Sequence, residues 1–208
     1  MPDLKDKDLV WKLENTKHIV KDAWIDFRRE TYRMPDGKVY GPFYNYSRRS
    51  YAVIVASDVS GRFLCVRQFR HGIGRVTTEF PAGGIRFSGK HEYVNKRENE
   101  SGLVESPLDA AKRELLEETG YTSDHWDYMM MIPAEATLSD NYAYIYRAKN
   151  CKKTKKQDLD ASEFVEVVKY SAEEIDDLIS RGLFPQAIHV LAWLLNEKIE
   201  NQGRHHKF

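Results

Sequence analysis

Short apolar runs separated by turn residues cover most of the chain of 208 residues. Two runs rich in β-branched and aromatic residues, Tyr51–Ser57 and Arg62–Phe69, predict strands joined by the turn signal Asp58–Gly61. Further strands are predicted at 24–33, 38–46, 77–80, 127–133, 142–147 and 163–169, a basic loop at 149–156, and helices at about 107–119, from Ser171 onward and at about 186–199. Strands interleaved with few helices predict an α/β (α+β) sandwich with a mixed sheet.

The pattern predicts two domains of unequal size. Residues 1–46 form a small β-rich segment that is too short to fold alone, so we expect it to pack on the main body or on a second subunit. Residues 47–208 form the main domain. Within that domain, residues 86–104 are polar and lack periodicity, which predicts a long loop whose role as a lid, a dimer contact or a passive connection stays open.

Composition narrows the classes of protein. Hydrophobic residues make up 41% of the chain, enough for a packed core. Lys plus Arg and Asp plus Glu both number 32, which argues against binding to nucleic acid or to a membrane surface through bulk charge. Cys65 and Cys151 lack metal-site spacing, and the charged N-terminus has no apolar leader. We therefore expect a cytoplasmic protein whose chemistry depends on local clusters of charge.

One predicted helix has strong signals at both ends. Ser106 suits the N-cap, Pro107 suits the first helical position, and Gly120 suits the residue that ends the helix. The apolar residues of the helix recur at helical spacing and predict its buried stripe: Leu108, Ala111 and Leu115.

Three carboxylates lie on another face of this helix, since Glu114, Glu117 and Glu118 are three and four positions apart. Like charges at this spacing destabilise a helix by about 0.2–0.5 kcal/mol per pair. One interpretation is a solvated acidic face, screened by Lys112 and Arg113. The other is a set of hard oxygen ligands suited to Mg²⁺, which leaves coordination positions for the phosphates of a substrate.

A longer motif favours the second interpretation. The run Arg113–Tyr121, with Glu105 eight residues before Arg113, resembles the Nudix box, Gly-x5-Glu-x7-Arg-Glu-U-x-Glu-Glu-x-Gly-U, where U is apolar or aromatic. Every specified position from Glu105 onward is met. The chain is similar to the ADP-ribose pyrophosphatase branch of that family at Arg67–Arg70, Thr78–Gly83 and Glu163–Val167. The resemblance extends from about Trp24 to the last helix and implies a Nudix-type α/β/α sandwich.

The chain departs from the family pattern before the box. In the family, the box glycine belongs to a Pro-Ala-Gly turn, here Pro81–Gly83, and lies six residues before the first box Glu. Here that Glu is Glu105 instead of position 89, so about 16 residues are inserted, within the loop 86–104, and the regular count places Asn99 where the glycine belongs. Because the helix itself is intact, we expect metal binding to persist and the rim of the pocket to differ. The resemblance implies a structural or outer-shell role for Glu105.

The resemblance also implies a Mg²⁺ site, with Mn²⁺ as a substitute. Its ligands would be Glu114, Glu118 and the backbone carbonyl of Ala82, with Glu117 holding a second ion or a bound water. Arg113 would orient a carboxylate of the box. Metal ions neutralise the charge of a diphosphate and lower the pKa of an attacking water, so this ligand set suits diphosphate hydrolysis.

The general base should lie outside the box, because the metal ion occupies the box carboxylates. Glu163, at the start of Glu163–Val167, matches the family position, so Glu163, Glu117 and Arg113 form the expected catalytic set. A surface Glu at a strand start is the alternative. Asp158 and Asp160 are nearby substitutes, whereas strand alternation places Glu166 on the opposite face.

Two further residues are implied to flank the pocket. Arg70 would face phosphate, and Glu79 would face the metal or a ribose. The alternative for this pair is a mutual salt bridge.

The N-terminal segment supplies the remaining candidates. Trp24 matches a position where relatives stack an aromatic ring on adenine, and Phe43 is a second candidate for that contact, with a core aromatic as the alternative. Arg48 or Arg49 would reach the ligand from the same segment. In relatives this segment crosses to the partner subunit, so the resemblance implies a homodimer with shared sites.

The implied reaction is hydrolysis of a nucleoside diphosphate sugar, first of all ADP-ribose to AMP and ribose 5-phosphate. The alternatives keep this chemistry and change the substrate to FAD, a dinucleoside polyphosphate or another nucleotide sugar. Residues 133–139 lack the Pro-Gly turn that relatives often have, which bears on recognition of the terminal sugar. A non-catalytic ligand sensor of the same fold is the contrasting class. It is disfavoured because this chain keeps the box carboxylates Glu105, Glu114, Glu117 and Glu118.

Overall fold

The computed structural model describes residues 5–86, 105–161 and 163–205. Tertiary contacts divide these residues into two units. The N-terminal unit contains residues 5–49 and 133–141, and the larger unit contains residues 50–86, 105–132 and 142–205 apart from position 162. Except for Arg86, the predicted insertion at 86–104 lies outside the described residues.

The N-terminal unit is an antiparallel sheet of three strands in the order β1-β2-β3. A short 3-10 helix, Asp6–Asp8, precedes β1 (Lys12–Lys21), β2 (Asp26–Arg33) and β3 (Val39–Ser47). The turn predicted between residues 34 and 37 connects β2 with β3. β1 is a strand that the sequence pattern does not predict, because nearly every one of its residues is exposed and polar residues predominate.

A buried polar network supports this unit. Alternate residues of β2 point inward, and Arg28 donates hydrogen bonds from Nε to Glu30 Oε1 at 3.1 Å and from Nη1 to Ser47 Oγ at 2.6 Å. Ser47 Oγ in turn donates to Asp140 Oδ2 at 2.5 Å, and the Tyr46 N–H donates to the Leu138 carbonyl at 2.8 Å. Residues 133–141 therefore fold against β3 rather than with the strands that flank them in sequence.

The larger unit is built on a mixed sheet. Its central order is β11-β5-β4-β10-β8, with β6 paired to β5, β7 to β4 and β9 to β10. The pair β4–β10 is parallel, whereas the following pairs are antiparallel: β8–β10, β5–β11, β4–β5, β4–β7 and β5–β6. The strands are β4 (Tyr51–Asp58), β5 (Phe63–Arg70), β6 (Arg75–Glu79), β7 (Ala82–Gly84), β8 (Tyr121–Thr122), β9 (His125–Pro133), β10 (Tyr142–Lys153) and β11 (Val165–Tyr170).

Three helices pack on this sheet: α1 (Pro107–Thr119), α2 (Ala172–Ser180) and α3 (Ala187–His205). Strand β4 is buried on both faces, since Val53 belongs to a core with Phe184 and Trp193, while the alternating Ile54 is also fully buried. α1 and α3 both contact β4. The predicted α/β architecture with a mixed sheet is thus confirmed. Among the described residues, no helix combines the length and the apolar character needed to cross a membrane.

Helix α1 begins and ends where its capping residues predict. Ser106 Oγ accepts a hydrogen bond from the Asp109 N–H at 3.1 Å, and Pro107 occupies the first turn. Gly120 adopts φ 76°, a left-handed conformation that favours glycine, and its N–H donates to the Leu116 carbonyl at 2.8 Å. These capping contacts fix the two ends of α1, and thereby the positions of the box carboxylates along the helix.

Candidate active site

Two carboxylates of the box are buried where α1 faces the Pro81–Gly83 turn. Glu114 is 9% exposed and Glu118 is 4% exposed, whereas Glu117 is partly exposed. The i, i+4 spacing places Glu114 and Glu118 one helical turn apart on the same face. A charged group is seldom buried without a partner, so the contacts of each carboxylate decide what this face can do.

Arg113 is the main cationic partner on the helix. It contacts Glu105 through two hydrogen bonds, from Nε at 3.0 Å and from Nη2 at 2.6 Å. Its Nη1 donates to Glu114 at 2.7 Å and to Glu117 at 2.8 Å, and its Nη2 also donates to the Gly84 carbonyl at 2.9 Å. Burial by itself would lower the pKa of Arg113, but these carboxylates outweigh it and raise the pKa. Arg113 therefore links the first box Glu, α1 and the end of β7.

Glu118 has a different environment. Its Oε2 accepts a hydrogen bond from the Ala82 N–H at 3.0 Å, and no Lys, Arg or His side chain of the described residues forms an ion pair with it. Burial raises the pKa of Glu118 well above its usual value, and the negative charges of Glu114, Glu163 and Glu79 raise it further. Burial also raises the pKa of Glu114, despite the opposing effect of Arg113. The site concentrates negative charge that its own cations leave uncompensated.

This donor set fits a hard divalent cation, because carboxylate and carbonyl oxygens are the ligands that Mg²⁺ prefers. Because the pKa values of Glu114 and Glu118 are raised, ionising both carboxylates is unfavourable without an added cation, and this supplies an electrostatic reason for binding one. Within residues 5–86, 105–161 and 163–205, no three Asp, Glu, His or Cys side chains converge as a ready ligand cluster. Arg113 accounts for this, since it holds Glu114 and Glu117, and a cation must compete with it for both.

Arg70 and Glu79 form the salt bridge that the sequence left as the alternative to function. Arg70 donates from Nε to Glu79 Oε1 at 2.8 Å and from Nη2 to Glu79 Oε2 at 2.9 Å. Glu79 is fully buried, and its Oε1 also accepts from Thr77 Oγ1 at 3.1 Å. The Arg70 side chain is 36% exposed, so the pair joins a fully buried carboxylate to a partly exposed cation.

A loop after β10 joins α1 to the predicted base. The Thr154 N–H donates to the Gly120 carbonyl at 2.9 Å, and the Asp158 N–H donates to the Glu117 carbonyl at 2.9 Å. The Gln157 side chain donates from Nε2 to the Glu118 carbonyl at 2.7 Å and to the Val165 carbonyl at 3.2 Å. The loop thereby pairs the last carbonyls of α1, and Gln157 bridges α1 to the start of β11.

Glu163 lies on this loop and is exposed. Its Oε2 accepts a hydrogen bond from the Asp160 N–H at 3.1 Å, and its charge contributes to the raised pKa of both Glu114 and Glu118. Glu166 points elsewhere, since its carboxylate pairs with Arg67 at 2.8 Å on the exposed face of the sheet. The geometry brings Glu163 to the carboxylate cluster, and its catalytic role stays a prediction.

A model of the NUDIX domain matches residues 47–194. The chain belongs to the NUDIX family. The resemblance expected from the motif around Arg113–Tyr121 is therefore confirmed, as is its assignment to the pyrophosphohydrolase enzymes.

Similar proteins include two ADP-ribose pyrophosphatases. That of Bacillus subtilis (strain 168) is 27% identical over 174 residues, which cover 83% of this chain and 85% of that protein. That of Mycobacterium tuberculosis (strain ATCC 25618 / H37Rv) is 29% identical over 126 residues, covering 61% of this chain and 53% of that protein. A methanol dehydrogenase activator of Bacillus methanolicus is 27% identical over 122 residues, covering 58% of this chain and 57% of that protein.

A solved crystal structure of an ADP compounds hydrolase aligns with a TM-score of 0.73. The alignment covers 93% of this chain and 96% of that chain at 18% sequence identity. This likeness shows a shared fold.

The Pro81–Gly83 turn leaves no room for a side chain at Gly83. A Cβ built on Gly83 would overlap the carboxyl carbon and both carboxylate oxygens of Glu114. We therefore expect Gly83→Ala to displace the Glu114 carboxylate and to weaken Mn²⁺ binding by at least about tenfold, in line with losses at supporting residues of metal sites. Mn²⁺ titration followed by electron paramagnetic resonance (EPR) measures this.

The matched control is Gly72→Ala. A Cβ at Gly72 meets nothing within 4 Å, so this variant should bind Mn²⁺ like the wild type. Unchanged Mn²⁺ affinity in a folded Gly83→Ala variant would show that Glu114 is not a ligand in its present position.

The candidates in the N-terminal unit occupy separate environments. Trp24 lies in the turn between β1 and β2 and is 77% exposed. Phe43 packs on Trp11 and Tyr32, with ring centroids 5.5 and 5.8 Å apart, and lines a cavity of about 470 Å³ within this unit. Arg48 is exposed beyond the end of β3. Trp24 does not line that cavity, so this unit does not bring the two predicted adenine contacts together.

Two residues that contact α1 or the segment before the Pro81–Gly83 turn have no signal in the sequence. Gln157 lies in a charged run that reads as solvated loop, and His189 lies among apolar helix residues. Both act through hydrogen bonds to backbone groups that are distant in sequence, as Gln157 does with Glu118. His189 accepts a hydrogen bond from the Phe80 N–H, and burial lowers its pKa to about 4. A pattern of residue types cannot identify such partners.

Proposed function

We propose that this Nudix protein is a Mg²⁺-dependent hydrolase of the diphosphate bond in a nucleoside diphosphate sugar, with Mn²⁺ able to replace Mg²⁺. The observation that supports this most directly is the buried carboxylate of Glu118, which has no cationic partner among the described residues and is surrounded by Glu79, Glu114 and Glu163. ADP-ribose is the leading substrate because two of the three similar proteins, including the one that covers 83% of this chain, are ADP-ribose pyrophosphatases.

In this proposal Glu114, Glu118 and the Ala82 carbonyl hold the metal, and Glu117 holds a second ion or a bound water. The Ala82 N–H contact with Glu118 at 3.0 Å supports placing the turn beside the helix ligands. The bound cation supplies neutralisation of the diphosphate charge and a lower pKa for the attacking water.

The remaining steps belong to side chains of the chain itself. The carboxylate of Glu163 accepts a proton from water as the water oxygen attacks one phosphorus. The bond from that phosphorus to the bridging oxygen breaks, which gives AMP and ribose 5-phosphate from ADP-ribose. Arg113 keeps Glu114 and Glu117 oriented, as its hydrogen bonds of 2.7 and 2.8 Å support. Arg70 faces phosphate in this proposal, and its partly exposed side chain, held by Glu79, supports that assignment.

The N-terminal unit contributes the nucleoside contacts in this proposal, through Trp24, Phe43 and Arg48 of a homodimer. The exposure of Trp24, at 77%, supports an aromatic face available to a ligand or to a partner subunit. Analytical ultracentrifugation tests the dimer, and a sedimentation coefficient of a compact monomer would contradict sites shared between subunits.

The decisive experiment is hydrolysis of a substrate panel with Mg²⁺ and with a chelator, in water labelled with oxygen-18. The panel contains ADP-ribose, another nucleotide sugar, FAD and a dinucleoside polyphosphate. We expect the highest kcat/KM for ADP-ribose, no turnover with chelator, and label in one product only, which identifies the phosphorus that is attacked. Purified protein that binds members of the panel but cleaves none with Mg²⁺ would instead be a ligand sensor.

A further inference from the structure

His189 is a buried imidazole on the first turn of α3, and it belongs to no part of the chemistry described above. Its exposed fraction is 4%. Its Nδ1 accepts a hydrogen bond from the Phe80 N–H at 3.1 Å, and its ring lies nearly parallel to the Phe80 ring, at an interplanar angle of 8°. The last helix thus reaches the segment that leads into the Pro81–Gly83 turn.

The hydrogen bond determines which nitrogen is protonated. A ring nitrogen that accepts a hydrogen bond carries no proton, so the neutral ring of His189 carries its proton on Nε2. Nε2 lies 3.9 Å from Glu79 Oε2. One side chain therefore faces both Glu79 and the backbone of Phe80.

The short segment 79–82 is held at successive backbone groups. His189 accepts from the Phe80 N–H, the Ile54 N–H donates to the Pro81 carbonyl at 3.0 Å, and the Ala82 N–H donates to Glu118 at 3.0 Å. Glu79 precedes this series and Ala82 ends it. A shift at Phe80 therefore reaches both Glu79 and the contact between Ala82 and Glu118.

A core residue could fill this space without an acceptor atom. Phe80 is fully buried and packs on Phe184 and Trp193, so an aliphatic side chain at position 189 would satisfy the packing. It would leave the buried N–H of Phe80 without its partner, which the backbone can relieve only by moving. The need for an acceptor for the Phe80 N–H therefore explains a histidine at position 189 better than the need to fill space in the core does.

We propose that His189 is a positioning residue of the metal site, which acts by accepting the Phe80 N–H and so keeps Ala82 against Glu118 and Glu79 in its buried position. This inference rests on the proposed function only in placing metal ligands at Ala82, Glu114 and Glu118. It goes beyond the box motif because the residue lies on α3, outside the motif and outside the segment that it orders.

The test compares variants of His189 that keep or remove the acceptor. His189→Asn keeps an amide oxygen near the position of Nδ1, whereas His189→Leu removes the acceptor and His189→Gln places its amide at the position of Nε2. We expect Mn²⁺ affinity, measured by EPR without substrate, to fall by about tenfold to a hundredfold in the Leu and Gln variants. The Asn variant should stay within about threefold of the wild type, because a preserved acceptor preserves the support of the ligands.

Asn196→Leu is the matched control. Asn196 is also a buried polar residue of α3, 1% exposed, and its described hydrogen bond is to Glu197. This variant should lower stability in urea unfolding without changing Mn²⁺ affinity. With Mg²⁺ and substrate, the Leu and Gln variants should lose kcat more than they raise KM, a split that general loss of stability does not produce.

Three outcomes would overturn the inference: wild-type Mn²⁺ affinity in a folded Leu or Gln variant, equal losses in the Asn and Gln variants, or weakened binding in Asn196→Leu. If the Leu variant does not fold, the comparison of Asn with Gln, both polar, decides the matter. The proposed function is judged separately. Wild-type protein that binds Mn²⁺ but hydrolyses no diphosphate would contradict the proposed function. The comparison of Mn²⁺ affinities would still decide the role of His189.

Discussion

Replacing Glu118 by Gln is expected to lower kcat by about a thousandfold while leaving the protein folded. The amide oxygen of Gln can still accept the Ala82 N–H, which Glu118 binds at 3.0 Å, so the packing between α1 and the turn is retained. The negative charge is lost, and with it a ligand for the cation. A bound cation contributes several kcal/mol to stabilising the charge of the transition state, and each 1.36 kcal/mol corresponds to tenfold in rate.

The measurements are kcat with Mg²⁺ and Mn²⁺ affinity without substrate. Glu166→Gln is the control, since Glu166 is 63% exposed and pairs with Arg67 away from the cluster, and it should change neither quantity. Because burial raises the pKa values of Glu114 and Glu118, protons compete with the cation, so wild-type Mn²⁺ affinity should fall as the pH falls. Activity of Glu118→Gln within about threefold of the wild type would remove Glu118 from the proposed metal site.

Replacing Glu163 by Gln is expected to lower kcat by about 10²- to 10⁴-fold, the range typical of a lost general base. Mn²⁺ affinity and KM should change little. Glu163 is exposed, and its loop is attached to α1 through the backbone of Asp158 and the side chain of Gln157, so the substitution leaves the loop in place.

The dependence of kcat on pH identifies the base more directly. At saturating Mg²⁺, wild-type kcat should decline as the pH falls and the base becomes protonated, and this decline should disappear in Glu163→Gln. Asp158→Asn and Asp160→Asn are the matched controls, because both residues lie on the same loop, and both should retain the decline. If one of these Asp variants loses the decline and Glu163→Gln keeps it, that Asp is the base.

The parts of this protein that the sequence predicts well are those defined locally. Helix α1 runs over Pro107–Thr119 as predicted, because Ser106 and Gly120 form its caps with residues three and four positions away. The strands β4 and β5 likewise match apolar runs that need no information beyond their own residues. The box carboxylates follow directly, since their positions on the helix depend only on its register.

Two strands show where local reasoning fails. β1 (Lys12–Lys21) has no alternation, and its strand conformation depends on pairing with β2, for example between Lys17 and Arg29. β10 was predicted to end at Arg147 before a basic loop, but it runs to Lys153 because Lys152 and Lys153 pair with β8. In both cases, hydrogen bonds to a distant strand outweigh a polar composition.

The candidate site also has some features that the sequence predicts and others that depend on distant contacts. Spacing predicts the box carboxylates, which are Glu105, Glu114, Glu117 and Glu118. It does not predict which of these carboxylates lacks a cationic partner among the described residues. The geometry of Arg113 decides this. Its guanidinium binds Glu105, Glu114 and Glu117, and no cationic side chain of the described residues pairs with Glu118. The contribution of His189 depends on packing between α3 and residues more than a hundred positions earlier. Such contacts exist only once the fold has formed.

The attachment of residues 154–158 to the end of α1 has a consequence for changes in chain length. Insertions or deletions before Asp158 would detach the loop from the carbonyls of Glu117 and Gly120, and so disturb the helix together with the proposed base. Changes in length between Asp158 and Val165 would leave these two contacts in place, while altering the reach of Glu163 and the link from Gln157 to the Val165 carbonyl. Length variation in this second stretch is therefore expected to move the proposed base relative to α1, and so to adjust which of the two phosphorus atoms of a diphosphate it serves.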